Sequence, residues 1–249
     1  MILPNAKEAK HKAWLYRILS GIYGDQTLAT SLYFKGGTCA AMRGLLDRYS
    51  VDIDFDYVAP QNEMDNVRKR MEEIFIKIGL EVKEKSQNVP QYFLRYPALP
   101  NERNTLKIDT TFPPPKSNSY ESAVFGEINC IVTCQTIETM FANKLVALVD
   151  RWEKNKSIAG RDVYDIHHFF IQGFRYNSDV IIERRKKAPA DFFQELIEFI
   201  ESQITQTIID QDINALLPYE QFRKIRNILK QETLMFLRDE FKRIKGVAK

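Results

Sequence analysis

The sequence is poor in cysteine: three in 249 residues, Cys39, Cys130 and Cys134. An odd count leaves at least one thiol unpaired, and none combines with His11, His167 or His168 at a recognised zinc-ligand spacing. Cys130 and Cys134 are expected to be buried small residues or free thiols. Long apolar runs are also missing. None approaches the roughly 20 residues of a membrane span, and the opening "MILPNAKEAKHKAW" has neither the apolar stretch nor the small-residue cleavage site of a signal peptide. The expectation is a cytoplasmic protein with no membrane partner. Nor does one sign of charge dominate. Lys and Arg number 36 against 33 Asp and Glu, a net +3. From Ile137 onward there are 19 basic and 17 acidic residues, so charge is not segregated along the chain. Only two local basic runs stand out: Arg184–Lys187, and Lys242, Arg243, Lys245 and Lys249 at the end. Each is a candidate for touching RNA phosphates, although most charge runs are solvated faces. Internal repeats and low-complexity linkers are absent.

What is present concentrates in "FKGGTCAAMRGLLDRYSVDIDFD", Phe34 to Asp56. Asp52, Asp54 and Asp56 alternate with Val51, Ile53, Phe55 and Tyr57, the pattern of a half-buried strand. Side chains at i and i+2 share a face about 7 Å apart, so the alternation gathers the carboxylates on one side. Two carboxylates roughly 5 Å apart repel by about 3 kcal/mol at an effective dielectric near 20, so something must offset them. A solvated edge with a nearby lysine would do so. A hard cation such as Mg²⁺, bound through one or two carboxylates plus substrate phosphates, is the sharper reading. Asp56, about 13 Å from Asp52 along the strand, reads as structural or as a support to the ligands.

Upstream, "LYFKGGT" reads as a strand, Ser31 to Lys35, broken at Gly36-Gly37, with Thr38 placed to cap a helix from about Cys39 to Leu46. Backbone N–H groups at such a turn can cradle an anion, and glycine lets a phosphate come close. A phosphate cradle beside a metal-binding edge is what transfer of a nucleotide requires.

Four segments in order carry a resemblance: "GGT" with "RYSVDIDFD", "LKIDTTF" (Leu106–Phe112), "ETMFANKLVALVDR" (Glu138–Arg151) and "RDVYDIHHF" (Arg161–Phe169). Over about Tyr33 to Phe170 the chain resembles the AbiEii/AbiGii toxin family of the nucleotidyltransferase superfamily, found in bacterial toxin–antitoxin and phage-defence systems. It departs from the Gly-Ser turn in having Gly37-Thr38, which keeps a hydroxyl. The resemblance implies an α+β fold, a mixed sheet with flanking helices, followed by a C-terminal helical domain. It also implies an enzyme that uses Mg²⁺, with a two-ion site, to move a nucleotide from an NTP to an acceptor hydroxyl. The implied acceptor is RNA such as the 3′ end of tRNA, and a separately encoded antitoxin is the implied partner.

The resemblance also assigns roles. Asp52, Asp54 and Asp109 would hold metal, with Asp109 alternatively the general base; as residues alone, Asp109 could simply be a strand acid paired with Lys107. Gly36, Gly37 and Thr38 would line the nucleotide phosphates. Lys144 would clamp them, with Arg151 seven residues on and Ala147 between the two cations; the plain alternative is a solvated cationic face. In "RDVYDIHHFF" the plain reading is an i,i+4 pair between Arg161 and Asp165. The resemblance puts this segment in the active-site cleft, with Asp162, or next Asp165, orienting Lys144 or the base. His167 and His168 read as one surface and one boundary residue.

Organisation follows. An N-terminal helix (about Ala6 to Ser20), the strand–turn–helix–strand unit and a helix ending at Gly79 are expected. Strands are expected near 80–85, 91–96, 105–112 and 127–132. After Thr136 the chain reads helical, as 137–152, 160–171, 178–185, 189–204 and one long helix over 218–245. The boundary is placed at residue 136, with a catalytic domain over 1–136 and a helical domain over 137–249 that completes the nucleotide and acceptor cleft. Two other functions fit parts of the pattern: a non-catalytic nucleotide- or RNA-binding module with the same fold, and a two-metal nuclease.

Overall fold

The computed structural model describes residues 1–247. The chain divides into two compact units, one formed by Met1–Pro114 with Ser119–Thr136, the other by Pro115–Asn118 with the chain from Ile137 on. The detour at 115–118 has a local cause. The backbone N–H groups of Lys116 and Ser117 donate to Glu183, at 2.9 and 2.7 Å, and Asn177 Nδ2 donates to the Ser117 carbonyl at 3.0 Å.

The first unit is a seven-stranded mixed sheet with helices. In order it contains α1 (Ala9–Tyr23), α2 (Gln26–Ser31), β1 (Leu32–Lys35), α3 (Gly36–Met42), β2 (Ile53–Tyr57), α4 (Met64–Lys77), β3 (Glu81–Lys85), β4 (Tyr92–Arg95), β5 (Thr105–Thr111), β6 (Tyr120–Phe125) and β7 (Cys130–Gln135). The strand order is β3-β4-β5-β2-β1-β7-β6. β2 runs parallel to β5 and β1 parallel to β7; the other pairs are antiparallel. The alternation read from the sequence sorts the two faces. Phe34, Ile53, Phe55, Leu94, Ile108 and Val132 are buried, and Tyr23 of α1 packs against the rings of Phe34 and Phe55 while Phe75 of α4 meets Tyr92 edge-on. The opposite face carries the aspartates.

The strand expected near 127–132 instead runs over Cys130–Gln135, after a short helical turn at Gly126–Ile128, and two other local expectations change. The helix after the glycine pair begins at Gly36, so Thr38 lies inside its first turn rather than at its cap. Gly36 has φ +77°, which lets the chain turn from strand into helix without a capping residue. The sheet also has β6, which the sequence did not signal. As an edge strand with Glu121, Ser122 and Val124 exposed, it has no buried alternation to betray it.

His11 of α1 is buried between Tyr96 and the Val51 carbonyl, its Nδ1 2.7 Å from Tyr96 Oη and its Nε2 2.8 Å from Val51 O. These partners select the neutral ring that donates from Nε2 and accepts at Nδ1. Burial holds its pKa below the ordinary histidine value, the Val51 bond opposing only in part. A depressed histidine pKa gives stability that is present above the unfolded value near 6.5 and lost as pH falls toward the folded value. The urea midpoint should therefore drop between pH 7 and 5.5, and by less in His11→Gln. An equal drop in both proteins would show that another group governs this range.

The second unit is helical: α5 (Ile137–Asn155), α6 (Gly160–Ile171), α7 (Ser178–Arg185), α8 (Pro189–Gln203), α9 (Gln206–Ile213), α10 (Tyr219–Ile225) and α11 (Leu229–Val247). Phe141 of α5 is its aromatic hub, with Phe169, Phe170 and Tyr176 all edge-on to it. α9 begins where Thr205 accepts a hydrogen bond from Ile208 N. The single long helix expected over 218–245 is broken between α10 and α11, where Gln206 Nε2 donates to the Arg226 carbonyl at 2.9 Å. α6 starts hard against α9. A Cβ on Gly160 would come 2.7 Å from the Ile208 carbonyl oxygen, and Gly160 N donates to Asp212 at 2.6 Å. That close approach fixes the first turn of α6, which carries Asp162.

Candidate active site

In the first unit the site grows from strand register. β1, β2 and β5 are neighbours, with Lys35 opposite Asp54 and Asp54 opposite Asp109. Asp54 and Asp109 thus share a face on adjacent strands, whose spacing is about 4.8 Å. Asp52 precedes β2, and its backbone carbonyl accepts a hydrogen bond from the Thr38 hydroxyl. Asp109 is engaged: Lys107 Nζ lies 2.6 Å from its Oδ2 and its Oδ1 accepts from Thr110 N at 3.0 Å. Among the described residues no three His, Cys, Asp or Glu side chains form a ready-made metal cage.

The glycine pair is pressed from both sides. A Cβ on Gly36 would stand 2.4 Å from Asp54 Oδ2, and one on Gly37 would stand 2.7 Å from Arg48 Nη2 and 3.1 Å from Ser50 Oγ. The turn is therefore a cradle whose wall is the central carboxylate. Thr38 Oγ1, 2.9 Å from Ser50 Oγ, ties the start of α3 to the entry of β2. Gly36→Ala should shift Asp54 and force a strained left-handed backbone, at about 1–2 kcal/mol for the backbone alone. Since displacing a reacting group by about 1 Å can cost about 10²-fold, turnover should fall by that order in a protein that still folds. Circular dichroism with a transfer assay checks both, and wild-type turnover would show that the cradle is not used.

The face holds residues that sequence reasoning missed. Lys35 Nζ lies 2.6 Å from Asp56 Oδ1 and 2.5 Å from Thr111 Oγ1. Asp56 is fully buried, and its Oδ2 accepts from Tyr120 Oη at 2.8 Å and Gln135 Nε2 at 2.7 Å. The one available signal was that Lys35 abuts the glycine pair; Tyr120 and Gln135 lie on strands far along the chain.

The second unit gathers the other candidates. Lys144 of α5 lies 2.8 Å from Asp162 Oδ1 and 2.9 Å from Asp165 Oδ2, and Arg151 Nε is 3.4 Å from Asp162 Oδ2. Both carboxylates are fully buried, whereas Arg151 is half-exposed. Burial pushes the Asp162 carboxyl up, but Lys144 and Arg151 pull it further down, leaving it below the usual carboxylate range. Its place in the first turn of α6 favours the anion as well. Asp162 Oδ2 itself accepts no hydrogen bond. Asp165 thus meets Lys144 from another helix.

Other expectations are redrawn. His167 is buried, with Nε2 2.7 Å from Glu232, and His168 stacks on Tyr164. The run Arg184–Lys187 is largely taken up within the unit. Arg184 bonds Asn143 and Asp150, both at 2.6 Å, Arg185 bonds Asp150, Glu153 and Glu195, and Lys187 pairs with Glu195. Arg185 is only 7% exposed, so this run is mainly an internal brace. Arg243 pairs with Glu240 and Lys245 lies over Phe241, while Lys249 falls outside the described residues.

A mixed sheet bearing a glycine-turn, two-carboxylate edge, followed by helices, is the nucleotidyltransferase class of fold. JHP933 from Helicobacter pylori, a solved structure, matches with a TM-score of 0.60 at 20% identity, over 99% of this chain and 97% of its own. A second H. pylori structure, provisionally described as a nucleotidyltransferase, gives 0.61 at 20% identity over 98% of each chain. No curated protein matches the chain in sequence. The family model described as "Nucleotidyl transferase AbiEii toxin, Type IV TA system" matches residues 17–227. The chain belongs to this family of nucleotidyl transferase toxins. No helix among the described residues is long and apolar enough to cross a membrane.

Proposed function

We propose that the protein is a Mg²⁺-dependent nucleotidyltransferase that moves an NMP unit from an NTP to a hydroxyl of RNA, such as the 3′ end of tRNA. It acts in the cytoplasm as a toxin held in check by a separately encoded antitoxin. The observation that carries the reading is the register of Asp54 with Asp109 beside the Gly36 cradle. The donor chemistry fits the ion: hard carboxylate oxygens on adjacent strands, incomplete as a cage, suit Mg²⁺, which binds through one or two carboxylates plus substrate phosphates. Asp52, Asp54 and Asp109 would hold it, as one ion or two. Bound there, it would neutralise charge developing on the attacking and leaving oxygens.

In the transfer the acceptor oxygen forms a bond to the α-phosphorus, the α–β bridging bond breaks, and pyrophosphate leaves. The hydroxyl proton goes to a carboxylate, for which Asp109 is the candidate. Gly36, Gly37 and Thr38 would offer backbone N–H groups to the phosphates. Lys144, held by two buried carboxylates, would offer a fixed positive charge for phosphate, with Arg151 beside it. Asp162 and Asp165 would orient that lysine. The alternative, a binding module without catalysis, predicts nucleotide binding with no transfer. Incubation with each α-labelled NTP, Mg²⁺ and total RNA tests the reading. Label on RNA is the expected result; label on protein or a metabolite, or none, overturns the acceptor or the activity.

A further inference from the structure

The carboxylate row of β2 is longer than the proposed site needs, and its far end is already filled by a cation of the chain. Two cross-strand steps lie side by side: Asp54 opposite Asp109, and Asp56 opposite Thr111. Lys35, opposite Asp54 on β1, reaches over to the second step and joins Asp56 to Thr111, at 2.6 and 2.5 Å. Its side chain is 19% exposed and that of Asp56 not at all. Two further donors, Tyr120 and Gln135, hold the other oxygen of Asp56. One ammonium thus links β1, β2 and β5 at the level next to the Asp54–Asp109 pair.

We infer that Lys35 is a positioning residue for that pair. It occupies the Asp56 step as a built-in cation and fixes β2 against β5, so that a divalent ion is kept from Asp56 and left to Asp52, Asp54 and Asp109, and the Asp54–Asp109 pair keeps its spacing. The inference rests on the proposed metal site. It assigns Lys35 a task that plain support of the fold would not require: Tyr120 and Gln135 already satisfy part of Asp56, whereas Lys35 crosses to β5.

The test separates geometry from field. Lys35→Met/Asp56→Asn removes one charge of each sign, so the net charge of the face is unchanged, and the amide oxygen introduced at position 56 can still accept from Tyr120 and Gln135. The full-length double variant should fold, shown by an unaltered circular dichroism spectrum. Its affinity for Mn²⁺, titrated without nucleotide by electron paramagnetic resonance, should fall at least fivefold. In the transfer assay kcat should fall more than tenfold with KM for NTP changed less than threefold. Lys35→Arg, which can still bridge Asp56 and Thr111, should keep Mn²⁺ affinity within threefold of wild type. A folded double variant with wild-type Mn²⁺ affinity and more than half the wild-type kcat would overturn the inference. Failure of the wild-type protein to bind Mn²⁺ at all would instead remove the metal site, and this role with it.

Discussion

Asp54→Ala is expected to abolish nucleotidyl transfer while leaving the fold intact. Asp54 sits opposite Asp109 and forms the wall of the Gly36 turn, so its loss strips the proposed ion of a central ligand. An ion that stabilises the transition state by several kcal/mol makes its loss worth at least about 10³-fold in rate. Stability should move the other way. Removing one carboxylate from a crowded face relieves repulsion, so thermal unfolding without Mg²⁺ should be unchanged or slightly higher in temperature. Asp52→Ala should behave similarly. A variant retaining more than a tenth of wild-type turnover would sink the metal assignment.

The largest effect on stability should come from Lys144→Met. Asp162 and Asp165 are both fully buried and share this ammonium, at 2.8 and 2.9 Å. Removing one partner of a buried ionic group leaves uncompensated charge and costs about 3–5 kcal/mol. Lys107→Met loses only a part-exposed pair with Asp109 and should cost under about 1 kcal/mol. The pH dependence supplies the check. In the wild type the depressed Asp162 pKa gives stability that is present above the ordinary carboxylate range and lost as pH falls through the folded value. In the variant a carboxylate buried without its cation takes a proton more readily, so the variant gains as pH falls. The gap in urea stability should be widest at pH 7 and narrow toward pH 4. Equal stability at pH 7 would mean that Arg151 and the surrounding groups suffice.

Much of this was legible along the chain. Alternation at 51–57 and 105–112 identified β2 and β5 and the faces of their aspartates, because a side-chain period of two is local and the apolar set must enter the core. The glycine pair marked the turn. What alternation could not supply was neighbourhood: β2 lies beside β5, not beside the nearer β3, and so Asp109 rather than any acid of Glu81–Lys85 faces Asp54. β6 escaped because an exposed edge strand imposes no apolar pattern.

The linear order of residues was enough for a strand-bearing first part and a helical second part, for the succession of motifs that marks the family, and for the side of each strand that is polar. Which charge answers which was left to packing. Lys35 reaches Asp56 and Thr111 across two strands, and Lys144 of one helix joins two acids of another. Arg184 and Arg185, a promising basic run on paper, turn inward to Asp150, Glu153 and Glu195. An ion pair depends on distance and burial between groups that only the folded chain brings together. A run of like charges specifies how many partners are wanted, and the fold alone specifies whether those partners are carboxylates of the same chain or a ligand.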